Sequence, residues 1–207
     1  MTLHGYYKID PDPSKFLGGS AHLRSLTLSE ILFPESLKLL LCAPNLVMLH
    51  LHQIHHPGAY LPNEMATVLS ALTRLEQLQV DFGRYHPELE NRRLPLLTRT
   101  VLPSLTLLKV TADTGNMEDF TARIDAPLLD HLYILFSCYS DRDIVLDTRQ
   151  LLWFISRIPE LRAPSEVHVG FATIRSATDN FTVWIEFSWP TQISSFVKLG
   201  VRCQEPG

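Results

Sequence analysis

Apolar positions along this chain fall into one phrase, L-x-x-L-x-L/V/I, spelled five times: Leu23-Leu26-Leu28, Leu46-Leu49-Leu51, Leu75-Leu78-Val80, Leu105-Leu108-Val110 and Leu129-Leu132-Ile134. Successive first leucines stand 23, 29, 30 and 24 residues apart. Places four and six alternate with polar residues, the period of a strand with one buried face. Between phrases the period lengthens to that of a helix. Met65, Val68, Leu69 and Leu72 share one helical face, which predicts a helix over 64–72 with Asn63 as N-cap. A second helix is expected over 117–124, opened by Gly115 or Asn116. A third is expected over 148–158, capped by Asp147, with Leu151, Leu152, Phe154, Ile155 and Ile158 as its stripe and Pro159 as its stop. Shorter helical turns are expected over 35–41 and 96–101.

A unit of this length cannot bury its own leucines, so neighbours must stack. Strands alternating with helices imply parallel pairing through crossovers. The expected fold is therefore α/β: an irregular leucine-rich repeat solenoid with a parallel sheet on the concave face and helices or turns on the convex face. Pro44, Pro103 and Pro127 each precede a first leucine by two residues, which predicts an extended lead-in to the strand. Val167, Val169 and Phe171 alternate as a sixth strand, Val183, Ile185 and Phe187 as a seventh, and Val197, Leu199 and Val201 as an eighth. The expected layout is an irregular N-terminal segment over 1–19, a repeat domain of about six to seven repeats over 20–190, and a C-terminal segment over 191–207 with a further strand.

The period of two also names the residues turned away from the leucines. Place five holds Thr27, His50, Gln79, Lys109 and Tyr133, and His168 extends the row. His52 is beside them at place seven of its phrase. This polar and aromatic stripe is the expected contact surface for a protein partner, since such residues supply contact area at interfaces. Place nine holds Ile31, Ile54, Gly83, Asp113 and Ser137, so the asparagine or cysteine common there in leucine-rich repeats is missing.

The chain has 207 residues, 45% of them hydrophobic and 19% charged, with a net charge of −4 and a pI near 6.1. That argues against a nucleic-acid protein, which needs a concentrated basic face; Arg92, Arg93 and Arg99 are expected to be solvated loop residues. Cys42, Cys138 and Cys203 are odd in number and far apart, as expected of buried thiols in a reducing, intracellular setting, cytoplasmic or nuclear. The N-terminus lacks a signal-peptide pattern and no apolar run is long enough to span a bilayer, so the sequon at Asn180 should not be glycosylated. Trp153, Trp184 and Trp189 are expected in the core or at an end cap.

Candidate chemistry is sparse. His50, His52, His55 and His56 cluster, and Asp81 on the next strand could join them, but the spacing is not that of a zinc motif. Gly18-Gly19-Ser20-Ala21-His22 lacks the G-x-S-x-G elbow of a hydrolase. Asp141, Asp143 and Asp147 lack the glycine and glutamate of a calcium loop. No catalytic, cofactor or metal site is expected. The expectation is a non-catalytic interaction scaffold, set against a metal-dependent or Ser/His hydrolase on an α/β frame.

One stretch, Phe16-Leu17-Gly18-Gly19-Ser20-Ala21-His22-Leu23-Arg24-Ser25-Leu26-Thr27-Leu28, resembles the opening of the leucine-rich region in F-box-type proteins of mushroom-forming fungi. Ala43-Pro44-Asn45-Leu46, Ala71-Leu72-Thr73-Arg74-Leu75-Glu76, Leu102-Pro103-Ser104-Leu105, Asp125-Ala126-Pro127-Leu128-Leu129 and Phe154-Ile155-Ser156-Arg157-Ile158-Pro159 are similar to its recurring phrases. The resemblance covers about residues 16–187. It implies a substrate receptor of a cullin-RING ubiquitin ligase, in which an F-box docks on the adaptor and the repeats hold the target. Residues 1–19 are too short for an F-box, so the adaptor is an expected partner only where one precedes this chain. A leucine-rich sensor module of an immune-type receptor is the third expectation.

Overall fold

The structure is a computed structural model that describes residues 2–4, 22–29, 40–54, 62–82, 99–138, 149–159, 166–175, 179–188 and 196–203. Nine strands form one open sheet: β1 (Thr2–His4), β2 (Ser25–Ser29), β3 (Met48–Ile54), β4 (Gln77–Phe82), β6 (Leu107–Ala112), β8 (His131–Cys138), β9 (Glu166–Arg175), β10 (Asp179–Ser188) and β11 (Phe196–Cys203). Helices α1 (Pro62–Ser70), α2 (Thr114–Arg123) and α3 (Arg149–Arg157) lie side by side. A short parallel pair, β5 (Thr100–Val101) with β7 (Ile124–Asp125), packs among them. The fold is mixed α/β with a largely parallel sheet.

The sheet runs β1-β2-β3-β4-β6-β8-β11-β10-β9. The six pairings from β1 to β11 are parallel, and β10 is antiparallel to both of its neighbours. Register joins the repeated phrases residue to residue. Leu26, Leu49, Leu78, Leu108 and Leu132 form one row, and Leu28, Leu51, Val80, Val110 and Ile134 the next. Every member of both rows is at most 2% exposed. Each such side chain stabilises the fold by roughly 1.5–3 kcal/mol relative to leaving it in water. Met65, Leu69, Met117, Phe120, Leu151 and Phe154 close the core from the helix side.

The strands begin at place three, two residues after a turn that ends on place one. The first leucine of four phrases closes a β-turn through its amide: Leu46 N–H to Ala43 O at 3.1 Å, Leu75 to Leu72 at 3.1 Å, Leu105 to Leu102 at 3.3 Å and Leu129 to Ala126 at 3.2 Å. Pro44, Pro103 and Pro127 take the second position of three of these turns, where their fixed φ is an advantage. The prolines thus make tight turns, not the extended lead-in that the sequence predicts. The place-two carbonyl of each unit then accepts two amides from the next. Arg24 O receives Val47 and Met48, Val47 O receives Glu76 and Gln77, Glu76 O receives Thr106 and Leu107, and Thr106 O receives Asp130 and His131, all at 2.8–3.0 Å. This ladder repeats the register constraint at every step, and at Glu76 O the Thr106 hydroxyl adds a further bond at 3.3 Å.

The helices differ from their predicted ends. α1 starts at Pro62, so Asn63 lies inside it and does not cap it; proline suits the first turn, where its missing N–H is no loss. α2 is capped by Asp113, whose carboxylate accepts the Asn116 amide at 2.9 Å and the Asn116 side chain at 2.8 Å. Burial pushes the Asp113 carboxyl above its usual range, and those bonds oppose the rise. α3 is capped from another helix: Glu118 of α2 accepts the amides of Gln150 at 2.8 Å and Leu151 at 3.1 Å. Asp147 lies outside the described residues. So do 35–39 and 96–98, and Thr100–Val101 is a strand where a helical turn is predicted.

Three apolar assignments also change. Leu152 and Trp153 are 60% and 51% exposed, so the stripe of α3 is narrower than predicted and Trp153 is a surface residue. Arg99 is exposed and lies outside helix and strand, as predicted, yet its guanidinium sits 4.4 Å over the Trp153 ring and donates to Ala122 O at 3.3 Å. Cys42 is exposed, not buried.

The largest difference is at the end of the sheet. The sequence predicts β9 as the strand after β8. In the structure β11 takes that place, and β10 and β9 lie beyond it. Connection length accounts for the antiparallel pairing of these three strands. Residues 176–178 and 189–195 link β9 to β10 and β10 to β11, far less than the dozen or so residues a parallel crossover needs. The three strands must fold as a meander, and its last strand meets β8. Thr2–His4, read from the sequence as irregular, pairs in parallel with β2. Among the described residues no helix is long and apolar enough to cross a membrane.

Candidate functional site

The sheet face opposite the leucine rows carries three rows of its own. The central one runs Thr2, Thr27, His50, Gln79, Lys109 and Tyr133 across six adjacent strands, each in register with the next. Register continues it to Lys198 on β11, Glu186 on β10 and His168 on β9. His168 therefore belongs to the row, but two strands separate it from Tyr133. Lys198 and Glu186 are members that sequence reasoning missed. Finding them needed the meander, since β11 comes last in the chain.

Flanking this row are Ser25, Met48, Gln77, Leu107 and His131 on one side. On the other are Ser29, His52, Asp81, Thr111 and Leu135. Thr27, His50, Gln79 and Tyr133 are partly exposed and Lys109 is exposed, while the residues between them in each strand are buried. With strands about 4.8 Å apart, each row sets side chains at a fixed pitch. Tyr133, Met48, Leu107 and Leu135 offer apolar contact area, and His50, Lys109 and Asp81 offer charge and hydrogen bonds.

The centre of this face is irregular. Register between β3 and β4 shifts between Leu51↔Val80 and Ile54↔Phe82, so His52 and Gln53 together oppose Asp81. Such a bulge bends the strand and re-aims its side chains. The His50 and His52 rings meet edge to face with centroids 6.1 Å apart. Burial lowers the His50 pKa, and the neighbouring His52 and Lys109 lower it further. His131 Nδ1 contacts the Asp130 carboxylate beside it in the chain.

Two imidazoles alone do not make a metal centre. Among the described residues no three His, Cys, Asp or Glu side chains are grouped as a metal would require. His55 and His56 lie outside the described residues, as do Ser20 and Gly18-Gly19. At the N-terminal ends of the strands a groove of about 490 Å³ is lined by His22, Arg24, Asn45, Val47, Arg74 and Glu76. Arg74 donates to Asn45 Oδ1 across it at 3.1 Å. Arg24, Val47 and Glu76 sit at place two, just before their strands, and carry the ladder carbonyls; the charge of Arg24 and Glu76 at that place was the available sequence signal. Compared with known proteins, the chain matches no family model, no curated protein and no solved structure.

Proposed function

We propose that this chain is a non-catalytic protein–protein interaction scaffold, an irregular leucine-rich repeat solenoid that holds a protein partner on the sheet face bearing Thr27, His50, His52, Gln79, Lys109, Tyr133 and His168. The observation that carries this reading is the register. Five copies of one phrase fall on five adjacent strands without a slip at places four to six, so variable residues form continuous rows on a rigid surface. Repeat folds present binding surfaces in this manner. Mixed polar and aromatic rows with little like-charge crowding suit a protein surface better than a nucleic acid.

The partner class follows from the resemblance to F-box-type proteins: the target of a ubiquitin ligase, with the adaptor as a second partner where an F-box precedes this chain. Proximity labelling with the full-length native gene product tests both. Recovery of the adaptor and cullin, with a target that is lost in a Gln79→Arg/Lys109→Glu variant, supports the receptor reading. A nucleotide-binding domain upstream and no ligase component would replace it with the immune-type sensor.

A further inference from the structure

We propose that the groove at the N-terminal ends of β2, β3 and β4 is a binding site for a small organic monocarboxylate. It has a volume of about 490 Å³ and is lined by His22, Arg24, Asn45, Val47, Arg74 and Glu76. That volume falls within the roughly 300–1,000 Å³ of small-molecule sites. Two rows of residues build it. Arg24, Val47 and Glu76 stand at place two of three consecutive phrases, just before Ser25, Met48 and Gln77, which are in register with one another. His22, Asn45 and Arg74 stand one residue before the first leucines of the same phrases. The backbone beneath is already paired: Arg24 O accepts the Val47 and Met48 amides, and Val47 O those of Glu76 and Gln77. Recognition therefore falls to the side chains.

Those side chains differ from their counterparts further along the strand entrances. There the equivalent residues are engaged within the chain. The Ser104 hydroxyl donates to Thr73 O at 2.8 Å, the Thr106 hydroxyl donates to Glu76 O at 3.3 Å, and the Asp130 carboxylate contacts His131. In the groove, Arg74 Nη1 donates to Asn45 Oδ1 at 3.1 Å, which holds this guanidinium across the opening and leaves the rest of its fork for a ligand. Among the described residues, the side chains of His22, Arg24 and Glu76 make no hydrogen bond or ion pair. All three are exposed, as is Arg74, so a ligand reaches them from solvent.

Charge selects the ligand class. With His22 neutral, the guanidiniums of Arg24 and Arg74 outnumber the single carboxylate of Glu76 by one, so one negative charge balances the groove. A guanidinium fork matches the plane and spacing of a carboxylate. A second negative charge, on a dicarboxylate or a phosphate dianion, would be brought up to Glu76 and repelled. Neighbouring strands about 4.8 Å apart set Arg24 and Glu76 two spacings from each other, with Val47 between them. Val47 is partly exposed and gives an apolar body a surface to lie on. The ligand is therefore an acid with one carboxylate on a short apolar body, held by Arg24 and Arg74 and screened for charge by Glu76. This site lies at the strand entrances, outside the rows of the proposed protein-binding face, and does not depend on that reading.

An NMR titration of the full chain with sodium benzoate at constant ionic strength tests this. Saturable shifts are expected at the Asn45, Val47 and Glu76 amides and at the Nε–H groups of Arg24 and Arg74. Benzamide, the same body without the charge, should move none of them, and phthalate should bind more weakly than benzoate. Arg24→Gln and Arg74→Gln should each weaken benzoate binding about tenfold or more, the usual weight of a hydrogen bond to a charged group. Arg99→Gln makes the same change in net charge in the helix layer and should leave the affinity unchanged. Glu76→Gln should strengthen benzoate binding and remove the preference over phthalate. Shifts that stay linear in benzoate, or equal losses in Arg24→Gln and Arg99→Gln, would show attraction to surface charge alone and overturn the proposal. Binding of a carboxylate-ended peptide without binding of benzoate would assign the groove to a protein terminus and overturn it as well.

Discussion

His50 sits where the physics of the open face is concentrated. Burial, then the neighbouring His52, then Lys109 hold its pKa below the ordinary 6.5. A base held down in the folded state binds fewer protons than in the unfolded chain. Its contribution to stability is therefore whole above pH 6.5 and is lost as pH falls from 6.5 through the folded midpoint. An NMR titration should place the His50 midpoint below 6.5. His52→Gln should raise it, and Lys109→Gln should raise it by less; an unmoved midpoint in both would contradict the assigned causes. The sequence placed His50 on the outward face because alternation is a local property of the strand. It could not place His52 against Asp81, since the bulge at Gln53 depends on how β3 meets β4.

Glu118 is the residue the sequence hid best. Nothing near it marks a carboxylate that caps another helix, because its partners Gln150 and Leu151 lie 32 and 33 residues further on, beyond β8. Glu118→Ala should destabilise the chain by about 1–2 kcal/mol, the usual loss of a cap. Glu118→Gln should lose less, since it keeps an acceptor but not the charge at a helix N-terminus. Urea denaturation measures both, and equal losses for the two variants would point to packing and not capping.

At the scale of elements, the turn before each strand is the unit of construction. Ala43-Pro44-Asn45-Leu46 and Leu72-Thr73-Arg74-Leu75 end alike. Ala43 N–H bonds Leu40 O at 3.0 Å, Leu72 N–H bonds Leu69 O at 3.0 Å, and each turn closes at 3.1 Å. Three of the four turns hold proline where this one holds Thr73. Thr73→Pro should therefore stabilise the fold by about 0.4–1 kcal/mol, by restricting the unfolded chain. A lower denaturation midpoint would show that Leu72 cannot adopt the backbone that a following proline demands. The leucine rows were legible because apolar alternation needs no knowledge of partners. The turns were half legible: the prolines marked the boundary, but the i to i+3 bond that gives them their purpose runs to the first leucine itself.

For the whole molecule, the order of strands was legible only as far as β8. Up to that point each phrase is followed by a connection long enough for a crossover, so chain order and sheet order agree. β9, β10 and β11 are correctly read as strands, but they form a meander whose last strand meets β8, which brings Lys198 next to Tyr133 and leaves His168 two strands away. The resulting face has a continuous central row from Thr2 to His168, and the helix layer covers the leucine rows behind it.

The central claim is that this row receives a protein partner. Site-specific photo-crosslinking in cells, with a photoreactive residue at Gln79 or Lys109 and a comparison position at Leu152 on the helix side, tests it directly. One and the same protein should be crosslinked from Gln79 and from Lys109 and not from Leu152. Crosslinks confined to Leu152, or none from either row position, would contradict it.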